Sequence, residues 1–270
     1  MATFARHSKG NFAMDWLAQN TLLPSDLGLL GLAFLGAICI GLSKAGLAGT
    51  ATFNVVLMAK IFGAKPSVGI VLPLLVTADI MGFLLNRKGG SWRQVLPMVP
   101  AAILGVLVGW QLLTYIDNTS ARWLIGLIIL GLLAFNQILA RREDLFRALT
   151  QNRGFTWGMG LLGGTTTMLA NAAGPIMTVY FLAQRWDKKT YLGVFSRFFL
   201  FINLFKLPFS RHLGLVNAPS LYTNLVLLPG VVVGIGLGWW ILQKIPQKYF
   251  EKVLTVLTAL AALWLILSAN

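Results

Sequence analysis

The chain has few of the residues that catalysis and metal binding depend on. It carries eight acidic residues and two histidines over 270 positions. Both histidines, His7 and His212, fall outside the apolar runs, and neither a metal-ligand spacing nor an HExxH-type motif occurs. A membrane-embedded enzyme would therefore lack its catalytic cluster, and no cofactor is implied. The single cysteine, Cys39, lies in the first apolar run. Alone it can form neither an intramolecular disulfide nor a thiolate metal site, and it reads as a small buried residue. Long polar stretches are also missing. The longest polar connector is about 141–153, too short for a soluble catalytic domain.

Charge of one sign is scarce too, leaving a net charge of +14. Nucleic acid is nevertheless excluded as a partner. The basic residues form no single patch with interleaved aromatics. They sit in short connectors between apolar runs, where membrane topology places them.

What the chain has in abundance is apolar sequence. Apolar residues make up 57% of the chain and mean hydropathy is +0.75. Apolar segments fall at about 27–43, 46–62, 66–86, 93–115, 121–140, 155–170, 172–185, 190–209, 221–241 and 249–268. Several approach the ~20 residues a helix needs to cross a bilayer. Residues 1–26 hold no apolar core of a signal peptide, and too many spans follow for a cleaved one. The expected architecture is all-α: a polytopic transmembrane helical bundle embedded in the lipid bilayer. The 28 glycines suit it, because small residues let membrane helices approach closely.

The two halves look alike. Each opens with a glycine-rich pair of short segments, 27–62 and 155–185, expected to be re-entrant or a broken helix. Aligning "AGLAGTATFNV" with "NAAGPIMTVYF" places Gly49 on Gly174 and brings Asp79 within a residue of Asn203. The expected organisation is a tail 1–26, a first repeat 27–140, a cytoplasmic connector 141–154 and a second repeat 155–268. Five segments per half would invert the repeats; a broken helix in place of each pair would make them parallel. Transporters with such repeats bind substrate near the midplane, at the repeat interface. Counting Lys and Arg in alternate connectors gives thirteen on one side and six on the other, so the first side, with Arg87, Lys88 and Arg153, is expected to be cytoplasmic.

Only Lys44, Asp79, Arg197 and Lys206 lie well inside apolar segments. An intramembrane charge is costly and marks a functional position by default. Lys44, in "LSKAGLAGT", joins the first two short segments. In a re-entrant hairpin it would lie beside a helix N-terminus, whose free N–H groups and positive dipole end favour an anion. In an ordinary turn it would snorkel to the surface. The second-half counterpart is "LANAAGPIM". There Asn171 occupies the turn, Gly174 allows close backbone approach, and Pro175 suits a first helical turn. Thr165, Thr166 and Thr167 could add hydroxyls, though packing accounts for them better. Asp79 and Arg197 each lie about seven residues from the cytoplasmic ends of their segments, so an ion pair between them is expected, with proton coupling through Asp79 the alternative. Lys206, beside Pro208 near the outer end, is placed to snorkel. Ser196 and Asn203 share a helix face, a candidate pore lining.

In these stretches the chain resembles the sulfite exporter TauE/SafE family of membrane anion transporters. The first-half match is "GLSKAGLAGT", "VLPLLVTADI" and "NRKGGSW"; the second is "NAAGP", "VYFLAQRWDKKTYLG" and "FFLFINLFKLPF". The resemblance spans nearly the whole chain and is densest over 40–100 and 155–215. It implies a multi-pass transporter of the bacterial inner membrane that exports sulfur-containing anions such as sulfite or organosulfonates, with proton coupling and a homodimer left open. A passive anion channel and an uptake permease are the alternatives. By motif match the substrate-binding positions are Lys44, Gly46, Gly49, Asn171, Gly174, Pro175, Arg197, Asn203 and Lys206, with Asp79 as the coupling residue. Asn171 stands where many members carry His. Since Asn cannot titrate, this position implies a hydrogen bond to substrate rather than a proton step.

Overall fold

The structure is a computed structural model. It describes residues 19–117 and 152–246, with isolated positions 120, 127, 131, 249, 252, 253 and 256. Most of the expected spans 121–140 and 249–268, of the tail 1–26 and of the connector 141–154 lies outside these residues.

Every regular element described is a helix: α1 Leu27–Ala45, α2 Thr50–Phe62, α3 Ala64–Asn86, α4 Trp92–Val95, α5 Val99–Tyr115, α6 Arg153–Ala170, α7 Ala173–Ala183, α8 Lys188–His212 and α9 Ala218–Lys244. Side-chain caps set several starts by satisfying helix N–H groups that have no partner within the helix. Asp26 accepts from Leu29 N, Asn152 from Gly154 N, and Asp187 from Thr190 N. Asn217 and Ser220 form a reciprocal capping box at α9. The expected segment 93–115 is divided, because Ser91 and Gln94 cap the short α4 and Pro100 restarts the chain as α5.

Four helices, α1, α3, α8 and α9, are long and apolar enough to cross a membrane. α2 and α7 are not: their 13 and 11 residues span about 20 and 16 Å, against about 30 Å of hydrocarbon.

Each short helix folds back on its predecessor. Thr50 Oγ1 donates to Cys39 O at 3.0 Å, and Gly36 faces Asn54 and Met58. In the second half, Gly163 faces Met177 and Thr156 bonds Tyr180. The glycine-rich pairs are therefore helical hairpins, and not broken helices. The chain reverses at Gly46 (φ 131°) after α1 and at Asn171, in the left-handed region (φ 55°), after α6. Both are conformations that glycine or asparagine adopts most readily.

The halves are interleaved. α1 packs along α9 and α6 along α5, each pair parallel. Gly230, Gly234 and Gly238 face Ala37, Ile38 and Ala45 in that order, and Met98, Ala102 and Gly109 face Gly160, Gly164 and Met168. The α1–α9 crossing depends on bare backbone: a side chain on Gly41 would begin 2.2 Å from Val231 O. α3 and α8 pack antiparallel through the centre, with Gly69 against Leu215, Asp79 against Asn203 and Gly89 against Gly193. An aromatic cluster of Phe181, Tyr191, Phe195, Phe198 and Phe199 fills the space between α7 and α8.

Candidate functional site

The two hairpin turns meet. Ala51 Cβ and Ala48 O lie 3.2 and 3.4 Å from where a side chain on Gly174 would begin, so only a small residue fits there. The meeting brings the N-termini of α2 and α7 together. Neither carries a side-chain cap. Pro175, third in α7, has no N–H to leave unpaired.

Between the turns lies a small cavity with room for about one water molecule. Ser43 and Lys44 of α1, Asn54 of α2, Asn171 of the second turn and Phe199 and Asn203 of α8 line it. Asn54 is buried, and its Oδ1 has no hydrogen-bond partner.

Lys44 does not snorkel. It is 6% exposed, pairs with Asp79 Oδ1 at 2.8 Å, and places its ammonium 4.2 Å over the Phe199 ring. The other carboxylate oxygen of Asp79 accepts from Asn203 Nδ2 at 2.6 Å. Asp79 is 1% exposed, so both of its partners are essential company for a charge so far from water.

The expected Asp79–Arg197 pair is not formed. Arg197 donates from Nη1 to the carbonyls of Gly89 and Gly193 and from Nη2 to Arg87 O at 2.8 Å. It also faces the Phe83 ring at 5.3 Å. Similar depth in two helices does not make two side chains point at one another. Arg197 points along the α3–α8 seam towards the turn after α3, and Asp79 points towards the hairpins. Arg197 thus stands apart from the cavity.

Lys206 does not snorkel either. It is fully buried, held by Thr167 O at 2.6 Å, Thr167 Oγ1 at 3.1 Å, Asn171 Oδ1 at 2.6 Å and Asn203 Oδ1 at 3.4 Å. Its outward stem would have had to pass the α6–α7 turn, whose acceptors hold it in place. Of the three threonines, Thr166 bonds back to its own helix at Leu162 O, as a packing residue does, and Thr167 supplies two ligands to Lys206. The sequence offered no sign that distinguished them.

On the shared face of α8, Asn203 reaches the cavity. Ser196 instead donates to Leu192 O and Gly82 O and seals α8 against α3. Asn86 donates to Ser196 Oγ at 3.4 Å in the same layer. Beyond this layer, an open cleft of about 410 Å³ is lined by Asn86, Lys88, Gly89 and Lys189. The layer from Gly82 to Gly89 against Gly193 to Arg197 therefore separates the cleft from the cavity along both helices.

Among the described residues no group of His, Cys, Asp and Glu could hold a metal ion. The arrangement gathers two lysines, one carboxylate and two helix N-termini around a small cavity. A model of the sulfite exporter TauE/SafE family matches residues 29–265. No curated protein and no solved structure matches the chain.

Proposed function

The chain belongs to the sulfite exporter TauE/SafE family, and from that premise we propose that it is a secondary transporter that exports sulfur-containing anions, such as sulfite or organosulfonates, by alternating access. The observation that carries this reading is the convergence of the α2 and α7 N-termini on one cavity lined by Lys44. Half-helix N-termini near the membrane midplane are where transporters hold anionic groups.

Substrate binding is proposed for the positions that line or shape this cavity. Lys44 supplies charge. Gly46, Gly49, Gly174 and Pro175 shape the two turns. Asn171 and Asn203 face the cavity directly. Lys206 acts behind these two amides, and Arg197 acts at the seam and not on the anion.

The cavity is too small for a three-oxygen anion, so the hairpins must part to admit one. A site without room for the anion until the hairpins part favours a carrier over an open channel. The relation of the halves fits the carrier as well. α3 and α8 occupy corresponding places in the two halves and run antiparallel, and corresponding positions, Asp79 with Asn203 and the Gly49 turn with Gly174, face each other. We read the halves as inverted repeats about an axis through these contacts.

The charges suggest how a proton takes part. With both lysines protonated and Asp79 ionised, Lys44, Asp79 and Lys206 sum to +1, so one negative charge neutralises the site. A monoanion can supply it; so can a dianion entering with a proton on Asp79, which also frees Lys44 from its ion pair. Either way one net negative charge leaves per cycle. An inside-negative potential favours that direction by about 2.3 kcal/mol per 100 mV.

The test is efflux of labelled sulfite and of a small sulfonate from proteoliposomes, with and without a pH gradient. Saturable efflux accelerated by an inside-negative potential is expected from the wild type and not from Lys44→Ala. Equal efflux from both proteins would remove the site from the hairpin turns.

A further inference from the structure

Lys206 is surrounded only by oxygens. Thr167 gives a carbonyl and a hydroxyl, and Asn171 and Asn203 give amide oxygens, at 2.6–3.4 Å. All four are neutral, and among the described residues no carboxylate lies in salt-bridge contact with this ammonium. Carbonyl and other uncharged oxygens gathered at the C-terminal end of a helix are how transporters bind alkali cations. Here α6 is that helix, ending at Ala170 with Asn171 as its cap.

The cage is built independently of the lysine. Asn171 Nδ2 donates to Val68 O at 3.0 Å and Asn203 Nδ2 to Asp79 Oδ2 at 2.6 Å. Each amide is thus turned so that its oxygen faces Lys206, and both oxygens would still converge if the ammonium were removed. The nitrogen meets only acceptors, which an ammonium with three donors satisfies.

We propose that this cage is a monovalent-cation site whose occupant is tethered: the Lys206 ammonium fills the place a free sodium or ammonium ion would take. The ion is part of the chain, so it cannot dissociate during the cycle. Transport then needs no co-transported alkali cation, and the link from the α6–α7 turn to α8 does not depend on one. This rests on the transporter reading for its consequence, but the cage itself does not.

The experiment uses the purified full chain in detergent without substrate. Thermal unfolding of wild type, Lys206→Ala and Lys206→Met is followed in sodium, ammonium and choline chloride at equal ionic strength. Lys206→Ala leaves space at the oxygens; Lys206→Met fills it with an uncharged chain of similar length. The wild type is expected to unfold at one temperature in all three salts. Lys206→Ala is expected to unfold lower in choline and to regain about 3 °C or more in sodium or ammonium. Lys206→Met should not respond. A Lys206→Ala protein indifferent to small cations, or a Lys206→Met protein that responds equally, overturns the proposal. A second measurement needs no variant: wild-type transport in proteoliposomes with sodium replaced by choline on both sides. Unchanged transport supports a tethered cation, and a sodium requirement overturns it. The unfolding series involves no anion, so it stands or falls apart from the identity of the substrate.

Discussion

Lys44 Nζ and Asp79 Oδ1 lie 2.8 Å apart, with 6% and 1% of their side chains exposed. Each is the other's only ion-pair partner among the described residues. An anion that binds Lys44 must therefore compete with Asp79 or find it neutral. Lys44→Ala alone strands a buried carboxylate and is expected to cost about 3–5 kcal/mol of stability. The double variant Lys44→Ala/Asp79→Asn should recover most of that loss without recovering transport. Unfolding and efflux measured on the three proteins separate the two effects. A double variant that transports would move the anion site away from Lys44.

Asp79 is the only acid in the cluster, and the charges facing it come from Lys44 on α1 and, through Asn203, Lys206 on α8. Asp79→Asn keeps the shape and the Asn203 contact while removing the titrating group. The wild type should transport with a rate that varies with pH, and the variant with a flatter profile. Identical profiles would exclude Asp79 from coupling.

Much of this site is legible in the string because a charge in a membrane span is rare. Lys44, Asp79 and Lys206 stand out against apolar neighbours, and Gly46 and Asn171 mark the two reversals. Pairing is not legible. Asp79 and Arg197 match in depth, but depth along a helix leaves the direction around it unspecified, and the two side chains point to different elements. Asn54 escapes notice, and Thr167 is set down to packing, for another reason. Small amides and hydroxyls cost little inside a helix, where they bond back to it, so their presence announces nothing. The division of 93–115 into α4 and α5 was written in Ser91, Gln94 and Pro100, but continuous hydrophobicity outweighed those signals.

Arg197 ties α8 to the turn after α3 through two carbonyls, Gly89 O and Arg87 O, and bonds back to Gly193 O of its own helix. Hydrogen bonds to a charged group contribute about 1.5–3 kcal/mol each when their loss leaves acceptors buried. Arg197→Met should destabilise the protein and loosen the layer between cleft and cavity. Ser196→Cys placed in that background should react faster with a water-soluble thiol reagent than Ser196→Cys alone, and the native Cys39 is buried. Equal rates would show that Arg197 does not hold this layer shut.

Gly41 and Gly234 put backbone against backbone where α1 crosses α9; a side chain on Gly234 would begin 2.2 Å from Ile38 O. Gly234→Val cannot be accommodated by moving a flexible side chain, so it should separate the helices and destabilise the protein by about 1–3 kcal/mol or more. Gly236→Ala, with nothing within 4 Å of its added methyl, is the control and should unfold like the wild type.

The pairing of α1 with α9 also sets a timetable for biogenesis. Gly41 is synthesised roughly 190 residues before Gly234, which at 5–20 residues per second is about 10–40 s. For that interval the first span has emerged from the ribosome and its packing face is bare. Neither half is a self-sufficient folding unit, since the opening helix of each packs along a later helix of the other. Two separately expressed halves should accordingly be short-lived alone and persist when produced together.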